Sequence, residues 1–191
     1  MYSEFYGIYQ NSRNASWQFL IDNGICELPV RLGNLCNQLG YVLMYDSKVN
    51  FLKPNERGIS FYKNNTWNII LNDKLSFQVQ RYTIAHELGH IALGHHLTNG
   101  KYGRTFIMNN PEEYQAERFA IDILAPACVL WALDLHTPQE IAKVCDISII
   151  SATKRARRMK ELYHRNMFLK HPLERQVYNQ FKNFIELKKY S

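Results

Sequence analysis

The sequence predicts an α+β fold, in which a small, mostly antiparallel sheet packs on two central helices and a helical C-terminal part follows. Runs rich in β-branched and aromatic residues lie within residues 41–72, and apolar residues after residue 77 recur mostly at helical spacing. The net charge also differs between two parts of the chain. Residues 1–137 carry 11 Lys/Arg and 12 Asp/Glu, a net charge of −1, and residues 138–191 carry 12 Lys/Arg and 5 Asp/Glu, a net charge of +7. We therefore predict one domain over residues 1–137 and a basic helical region over residues 138–191.

The first predicted elements are two helices and a strand. An apolar stretch predicts a helix over residues 14–24, which Asn-Gly ends. Pro29 suits the first turn of a second helix over residues 30–39, and Gly40 suits its C-terminal cap. Residues 41–45 follow as a strand because of their β-branched and aromatic content.

A β-hairpin is predicted next. Residues 58–62 and 67–72 alternate between apolar and polar side chains, and the Asn-rich stretch 63–66 joins them. An open strand edge is usually covered or functional, and an extended peptide can bind to it as an added strand. Plain structural use and peptide binding both remain open for this hairpin.

Residues 81–93 are typical of a buried helix and contain the pattern His-Glu-x-x-His. His86 and His90 lie four residues apart, so a helix presents both imidazoles to one point, as two ligands of a catalytic Zn²⁺. Glu87 beside them can act as general base on the attacking water. A chance match is the alternative, but uncompensated His and Glu in so apolar a helix would cost free energy.

Catalytic zinc takes three protein ligands, so a third is expected downstream. Pro111 suits the start of a helix that Pro126 ends. The apolar side of this helix comprises Tyr114, Ala116, Phe119, Ala120, Ile123 and Leu124. Glu113 and Glu117 share another side, so one can bind the metal while the other hydrogen-bonds a ligand histidine; spacing leaves their order open. Glu112 fits a solvated helix start.

The segments TIAHELGH, at residues 83–90, and EYQAERFAIDILAP, at residues 113–126, resemble the ImmA/IrrE family of zinc metallo-endopeptidases. The similarity is looser over residues 29–72 and weak beyond residue 137. It implies a zincin-like core of two helices and a regulatory role in a bacterium or its mobile elements.

The resemblance also implies an order for the two glutamates. In the related gluzincin pattern the first acid binds zinc and the second lies behind a histidine, which places zinc on His86, His90 and Glu113. Glu117 then lies in the second coordination shell, although Asp or Asn is more usual at its position.

Several polar residues follow the His-Glu-x-x-His helix. His95 and His96 could bind metal or stabilise an oxyanion, but a polar helix end, where protonated His suits the dipole, is the simpler interpretation. Tyr102 and Arg104 are expected to border the cleft. The residue that stabilises the tetrahedral intermediate is not identified by the sequence.

The C-terminal region predicts a pair of helices resembling a helix-turn-helix, followed by one more helix. The first helix of the pair covers residues 140–145, and Thr137 caps its start with a capping box. The second helix covers residues 149–163, and Arg155 lies in it where an apolar residue is expected. Its basic side chains could contact DNA, but a solvated packing element is favoured, since a basic patch alone is weak evidence. Residues 172–190 predict a final amphipathic helix.

Composition limits the location and the redox state of the chain. No apolar run reaches the length of a membrane span, and the N-terminus lacks the features of a secretory signal. The four cysteines are scattered, without a Cys-x-x-Cys pair, and fit reduced core residues. We expect a cytoplasmic protein with no membrane partner.

Together these observations predict a zinc-dependent endopeptidase. The family resemblance implies a protein substrate, typically a helix-turn-helix transcriptional repressor. The alternative is a zinc-containing binding protein that acts by contact, as a regulator or part of a toxin–antitoxin pair. The basic C-terminal region motivates the alternative, and an intact Glu87 argues against it.

Overall fold

The computed structural model describes residues 2–95 and 110–189, with side chains from residue 11 onward. It confirms the predicted α+β class. The elements are α1 (Tyr2–Asp22), α2 (Leu32–Gln38), β1 (Val42–Tyr45), α3 (Asp46–Val49), β2 (Gly58–Lys63), β3 (Thr66–Leu71), α4 (Phe77–Ala92), α5 (Pro111–Leu124), α6 (Ala127–Ala132), α7 (Pro138–Cys145), α8 (Ile149–His164), α9 (Pro172–Gln180) and α10 (Lys182–Lys189). Among the described residues, none of the helices combines the length and hydropathy that a bilayer span needs.

The chain divides into two compact units. The first comprises Met1–Ser12 and Arg31–Ala120, and the second comprises Arg13–Val30 and Ile121–Ser191. Helices α1 and α5 each pass from one unit into the other. The predicted functional division at residue 137 stays a prediction.

The first unit holds a three-stranded mixed sheet with the order β1-β3-β2. β2 and β3 form the predicted antiparallel hairpin, with Gly58 opposite Leu71, and β1 joins β3 in parallel. Asn64 and Asn65 turn the hairpin with positive φ angles of 53° and 60°, as a two-residue type I′ turn requires. The sheet is therefore built around the hairpin that the sequence predicts.

The two faces of the sheet bury different side chains. One face carries a cluster of Ile59, Phe61 and Ile70, against which Met44 and Leu52 pack. The opposite face lies against α4. Gly58 of β2 is so close to this helix that a Cβ on it would lie 2.5 Å from Thr83 Cγ2. Side chains alternate along a strand, so Ser60 faces α4 as well. This alternation brings a polar side chain of β2 to the helix that carries His-Glu-x-x-His.

The second unit is helical. Its buried apolar side chains include Trp17, Leu20, Ile123, Leu124, Cys128, Leu130, Ile141, Cys145, Val177 and Phe181. The predicted capping box at Thr137 and Glu140 is present, and Asp146, with φ 49°, makes the turn between α7 and α8. Arg155 of α8 is 2% exposed and pairs with Asp122 of α5. An ion pair thus fills the position where the sequence predicts an apolar residue.

Some elements differ from their predictions. Helix α1 begins at Tyr2 rather than Asn14, and the predicted C-terminal helix is interrupted at Phe181. There the fully buried Phe181 leaves α-helical geometry (φ −87°, ψ 1°), and Gln180 donates hydrogen bonds to the carbonyls of Leu20 and Ile25. Long-range contacts therefore override the continuous amphipathic pattern.

Two short helices were not predicted. In α3, the Asp46 carboxylate accepts hydrogen bonds from the backbone N–H groups of Phe51 and Leu52, and Asn50 ends the turn with φ 48°. Such local side-chain contacts stabilise a single turn that periodicity cannot detect. Helix α6 directly follows Pro126 and is almost entirely buried.

A few side chains lie elsewhere than expected. Tyr114, predicted on the apolar side of its helix, is 47% exposed, and Phe77 of α4 and Leu187 of the last helix are exposed as well. All four cysteines are free; Cys36, Cys128 and Cys145 are buried, whereas Cys26 is exposed and is not a core residue. Burial raises the pKa of Cys36 to about 11, so this thiol is unreactive at neutral pH.

Candidate metal centre

Helix α4 supplies the histidine pair and its neighbouring glutamate. Leu88 and Ala85 bury one side of the helix in the first unit. His86 and His90 lie on another side, with 16% and 8% of their side chains exposed, and their Nε2 atoms are 3.0 Å apart. The four-residue spacing thus brings both imidazoles to one point, as predicted.

A close contact between helices brings in the third side chain. A Cβ on Gly89 would lie 3.1 Å from both the Cα and the carbonyl oxygen of Ala116, and 3.2 Å from Phe119 Cδ1. The missing side chain at Gly89 therefore lets α5 approach the backbone of α4 closely. Glu113 lies about one helical turn before Ala116 in α5, so the close approach of the two helices brings it near the histidines of α4.

The carboxylate of Glu113 reaches both histidines. Its Oε2 lies 3.1 Å from His86 Nε2, and its Oε1 lies 3.3 Å from His90 Nε2. These three residues are the one group of metal-ligating side chains that converges among the described residues. Of the two candidate acids, the geometry places Glu113 with the histidines.

The donor set fits a zinc ion. Ligands at roughly 2.0–2.1 Å from a tetrahedral Zn²⁺ lie about 3.3 Å from one another. The two imidazole nitrogens are 3.0 Å apart, and each of them lies 3.1 or 3.3 Å from one of the two carboxylate oxygens of Glu113, which is close to that spacing. Two imidazole nitrogens and one carboxylate also leave a fourth position for water or substrate, as a catalytic site requires.

His86 and Glu113 shift each other's pKa. Burial alone would raise the pKa of Glu113, but the hydrogen bonds and charges of His86 and His90 outweigh it and lower that pKa well below its usual range. Burial likewise opposes the charge on His86, yet the hydrogen bond with Glu113 and the carboxylates of Glu87, Glu113 and Glu117 raise its pKa. An anionic Glu113 is ready to bind a cation.

Glu87 is held by a strand residue that the sequence analysis missed. Its Oε2 accepts a hydrogen bond of 2.6 Å from the hydroxyl of Ser60, and the two side chains are buried. Ser60 is 27 residues away along the chain. The one sequence signal for this contact is the alternation of side chains along β2, which places Ser60 on the side of the sheet that faces α4.

His95 differs from the predicted protonated histidine at a polar helix end. It is 7% exposed, its Nδ1 lies 2.9 Å from His90 Nδ1, and its Nε2 lies 2.8 Å from Gln115 Oε1. Burial lowers its pKa, and the charge of His90 lowers it further, against a hydrogen bond with Gln115. A neutral, buried His95 therefore replaces the expected protonated one, and no role was predicted for Gln115.

The remaining candidates lie farther from the cluster. Glu117 is exposed, and its carboxylate makes no hydrogen bond to either ligand histidine in the part of the chain that the structure describes. The charge of Glu117 helps to raise the pKa of His86. The assignment of Glu117 to the second coordination shell stays a prediction. His96, Tyr102 and Arg104 lie outside the described residues.

Fold and site together show an α+β protein in which a His-Glu-x-x-His helix and a nearby glutamate form a cluster that could hold a metal ion, as in metallopeptidases. The chain belongs to the peptidase M78 family, whose model, described as the IrrE N-terminal-like domain, matches residues 35–157. This match confirms the resemblance to the ImmA/IrrE family, and it includes α4, α5 and most of α8. Comparison with curated proteins gave no significant match.

Proposed function

We propose that this protein is a zinc-dependent endopeptidase. The observation that carries the proposal is the convergence of His86, His90 and Glu113 within 3.0–3.3 Å, next to a glutamate in the general-base position. Membership in a metallopeptidase family supports the same conclusion. The three residues are proposed as the zinc ligands, and Glu87 as the catalytic base.

The protein's own groups then have separate tasks. Bound zinc supplies Lewis-acid polarisation of the scissile carbonyl and acidification of water. Glu87 receives a proton from the attacking water and passes it to the leaving amine. The Ser60 hydroxyl holds one carboxylate oxygen of Glu87 and so orients the other for proton transfer.

The hairpin offers a place for the substrate backbone. Within the described sheet, β2 pairs with β3 alone, and its Ser60 contacts Glu87. An extended peptide that adds to the open edge of β2 would run beside the base and the metal ligands. We propose that the substrate binds there as an added strand.

The substrate that we propose is a helix-turn-helix transcriptional repressor, which cleavage would inactivate. The support is the family resemblance, in which such repressors are typical partners. Direct binding of nucleic acid through the exposed Lys154, Arg157 and Lys160 of α8 is the less favoured use of that basic surface.

The variant Glu87→Gln distinguishes the protease hypothesis from the hypothesis of a binding protein. Glu87→Gln keeps size and hydrogen bonding but removes basicity, so the variant should fold, retain zinc and bind the repressor while cleaving it at least about 100-fold more slowly. The substrate is the purified repressor encoded beside the gene, incubated with and without chelator and followed by gel electrophoresis. If wild-type protein binds this repressor without cutting it, and Glu87→Gln leaves the cellular phenotype unchanged, a zinc-containing regulatory or toxin–antitoxin binding protein replaces the protease.

A further inference from the structure

A line of three side chains leads from α5 to the metal cluster. Gln115 Oε1 lies 2.8 Å from His95 Nε2, and His95 Nδ1 lies 2.9 Å from His90 Nδ1. The far nitrogen of His90, Nε2, is the atom that meets His86 and Glu113. His90 and His95 are both buried, which shields the contact between them from bulk water.

The hydrogen-bond roles along this line are coupled. A neutral imidazole has one N–H donor and one acceptor nitrogen. When Gln115 presents its oxygen, His95 must donate from Nε2, and its Nδ1 is then an acceptor. His90 consequently donates from Nδ1, which leaves the lone pair of its Nε2 facing the cluster.

The opposite orientation would block the site. If the Gln115 amide turned its NH₂ group toward His95, that group would donate to Nε2, and His95 would donate from Nδ1 to His90. His90 would then carry its proton on Nε2, where a metal must bind. Metal ligation is therefore compatible with one direction of the line only.

From this arrangement we propose that His95 and Gln115 are positioning residues of the metal centre, which fix the tautomer and ring orientation of His90. Neither residue belongs to the group of converging ligand side chains, which is His86, His90 and Glu113. Outer partners of this kind orient ligand imidazoles and typically change metal affinity by about 10- to 100-fold. The inference rests on the proposed zinc site and adds to it two residues that neither the sequence motif nor the family match assigns.

The test measures zinc affinity of the full chain by competition with a chromophoric chelator. His95→Phe keeps a flat ring but removes the acceptor, and it should weaken zinc binding by about 10- to 100-fold. His95→Asn places an amide oxygen near the position of Nδ1 and should restore affinity to within about threefold of wild type, because one acceptor suffices.

A second pair of variants keeps the test valid if His95→Phe does not fold. Gln115 is only half-buried, and Gln115→Met preserves its shape without an acceptor, so this variant should also lose about tenfold in affinity. His136→Phe is the matched control: it removes an exposed histidine that pairs with Asp134, and it should leave zinc affinity unchanged. Thermal melting of each metal-free variant shows whether the fold is intact.

The outcomes are distinct. Loss in His95→Phe and Gln115→Met, with rescue in His95→Asn, supports the inference. Wild-type zinc affinity in His95→Phe and Gln115→Met, or equal loss in His95→Phe and His95→Asn, overturns it and leaves the zinc site standing. Wild-type protein that binds no zinc overturns both the inference and the proposed function.

Discussion

Helix α5 carries two acidic residues that meet buried basic groups, one in each compact unit, and the two clusters differ in how they are closed. Asp122 pairs with Arg155 at 2.8 Å, and the two side chains are 4% and 1% exposed. Glu113 contacts two histidines but keeps 29% of its side chain exposed. The Asp122 carboxylate is enclosed with its counter-ion, whereas the Glu113 cluster directs three donor atoms at a common point that solvent reaches.

This difference separates a structural ion pair from a binding site. In a buried pair the carboxylate is already matched by its counter-ion, and removing one partner leaves an uncompensated buried charge. Partly exposed donors that converge at metal-ligand spacing remain available for a cation. Changes at Glu113 should therefore affect metal binding, and changes at Asp122 should affect folding.

The largest expected effect follows from removing the anion of the open cluster. Wild-type protein should bind about one equivalent of zinc, and Glu113→Gln should not retain it through gel filtration, because a direct ligand is lost. Glu117→Gln should reduce affinity by only about 10- to 100-fold. Metal analysis of the purified proteins decides this, and the reverse order would show that Glu117 is the third ligand.

The closed pair should respond in stability instead. Asp122→Ala leaves Arg155 buried without its carboxylate partner and should lower the free energy of unfolding by about 3–5 kcal/mol. Asp122→Leu combined with Arg155→Met should recover most of that loss, since apolar residues of similar volume often replace a buried pair at little cost. Urea denaturation measures both variants.

An exposed pair provides the control for this experiment. Lys182 and Glu186 lie 4.0 Å apart with more than half of each side chain exposed. Glu186→Ala should therefore change stability by less than about 1 kcal/mol. A comparable loss in Glu186→Ala and Asp122→Ala would contradict the distinction between enclosed and open charges.

Zinc binding by the open cluster should depend on pH. The raised pKa of His86 means that a proton competes with the metal, so affinity should fall about tenfold per unit as the pH drops below that pKa and level off above it. Because the charge of Glu117 helps to raise this pKa, Glu117→Gln should move the midpoint to slightly lower pH. Chelator competition over a pH series checks both statements; a pH-independent affinity would rule out His86 as a ligand.

The smallest effect concerns the close approach of α4 and α5. Gly89→Ala forces a Cβ against the backbone of Ala116, and overpacking of this kind costs about 1–3 kcal/mol, partly offset by the gain in helix propensity of about 1 kcal/mol. We expect a net loss of about 1 kcal/mol in stability and weaker zinc binding, because Glu113 moves with α5.

Gly33→Ala is the matched control in helix α2. Nothing lies within 4 Å of a Cβ at this position, so the change should stabilise the protein by up to about 1 kcal/mol and leave zinc binding unaltered. The denaturation curves of the two variants should therefore shift in opposite directions, and only Gly89→Ala should change the zinc titration. The same shift in both would mean that the close approach of the helices does not matter.

Features that depend on local spacing could be predicted from the sequence alone. Two histidines four residues apart share a helix face whatever surrounds them, which is why the pairing of His86 and His90 was predictable. The hairpin and the capping box at Thr137 likewise depend on neighbouring residues, and both are present. Each of these features is set by backbone geometry within a few residues.

Contacts between side chains far apart along the chain could not be predicted in this way and became visible in the folded structure. Ser60 reaches Glu87 across 27 residues, His95 reaches Gln115 across 20, and Arg155 reaches Asp122 across 33. Glu113, rather than Glu117, contacts the histidines beside the close approach of Gly89 to Ala116, and the spacing of the two glutamates alone could not show this. Such pairings follow from how helices and strands pack, and packing depends on the shape of the whole core rather than on any local pattern.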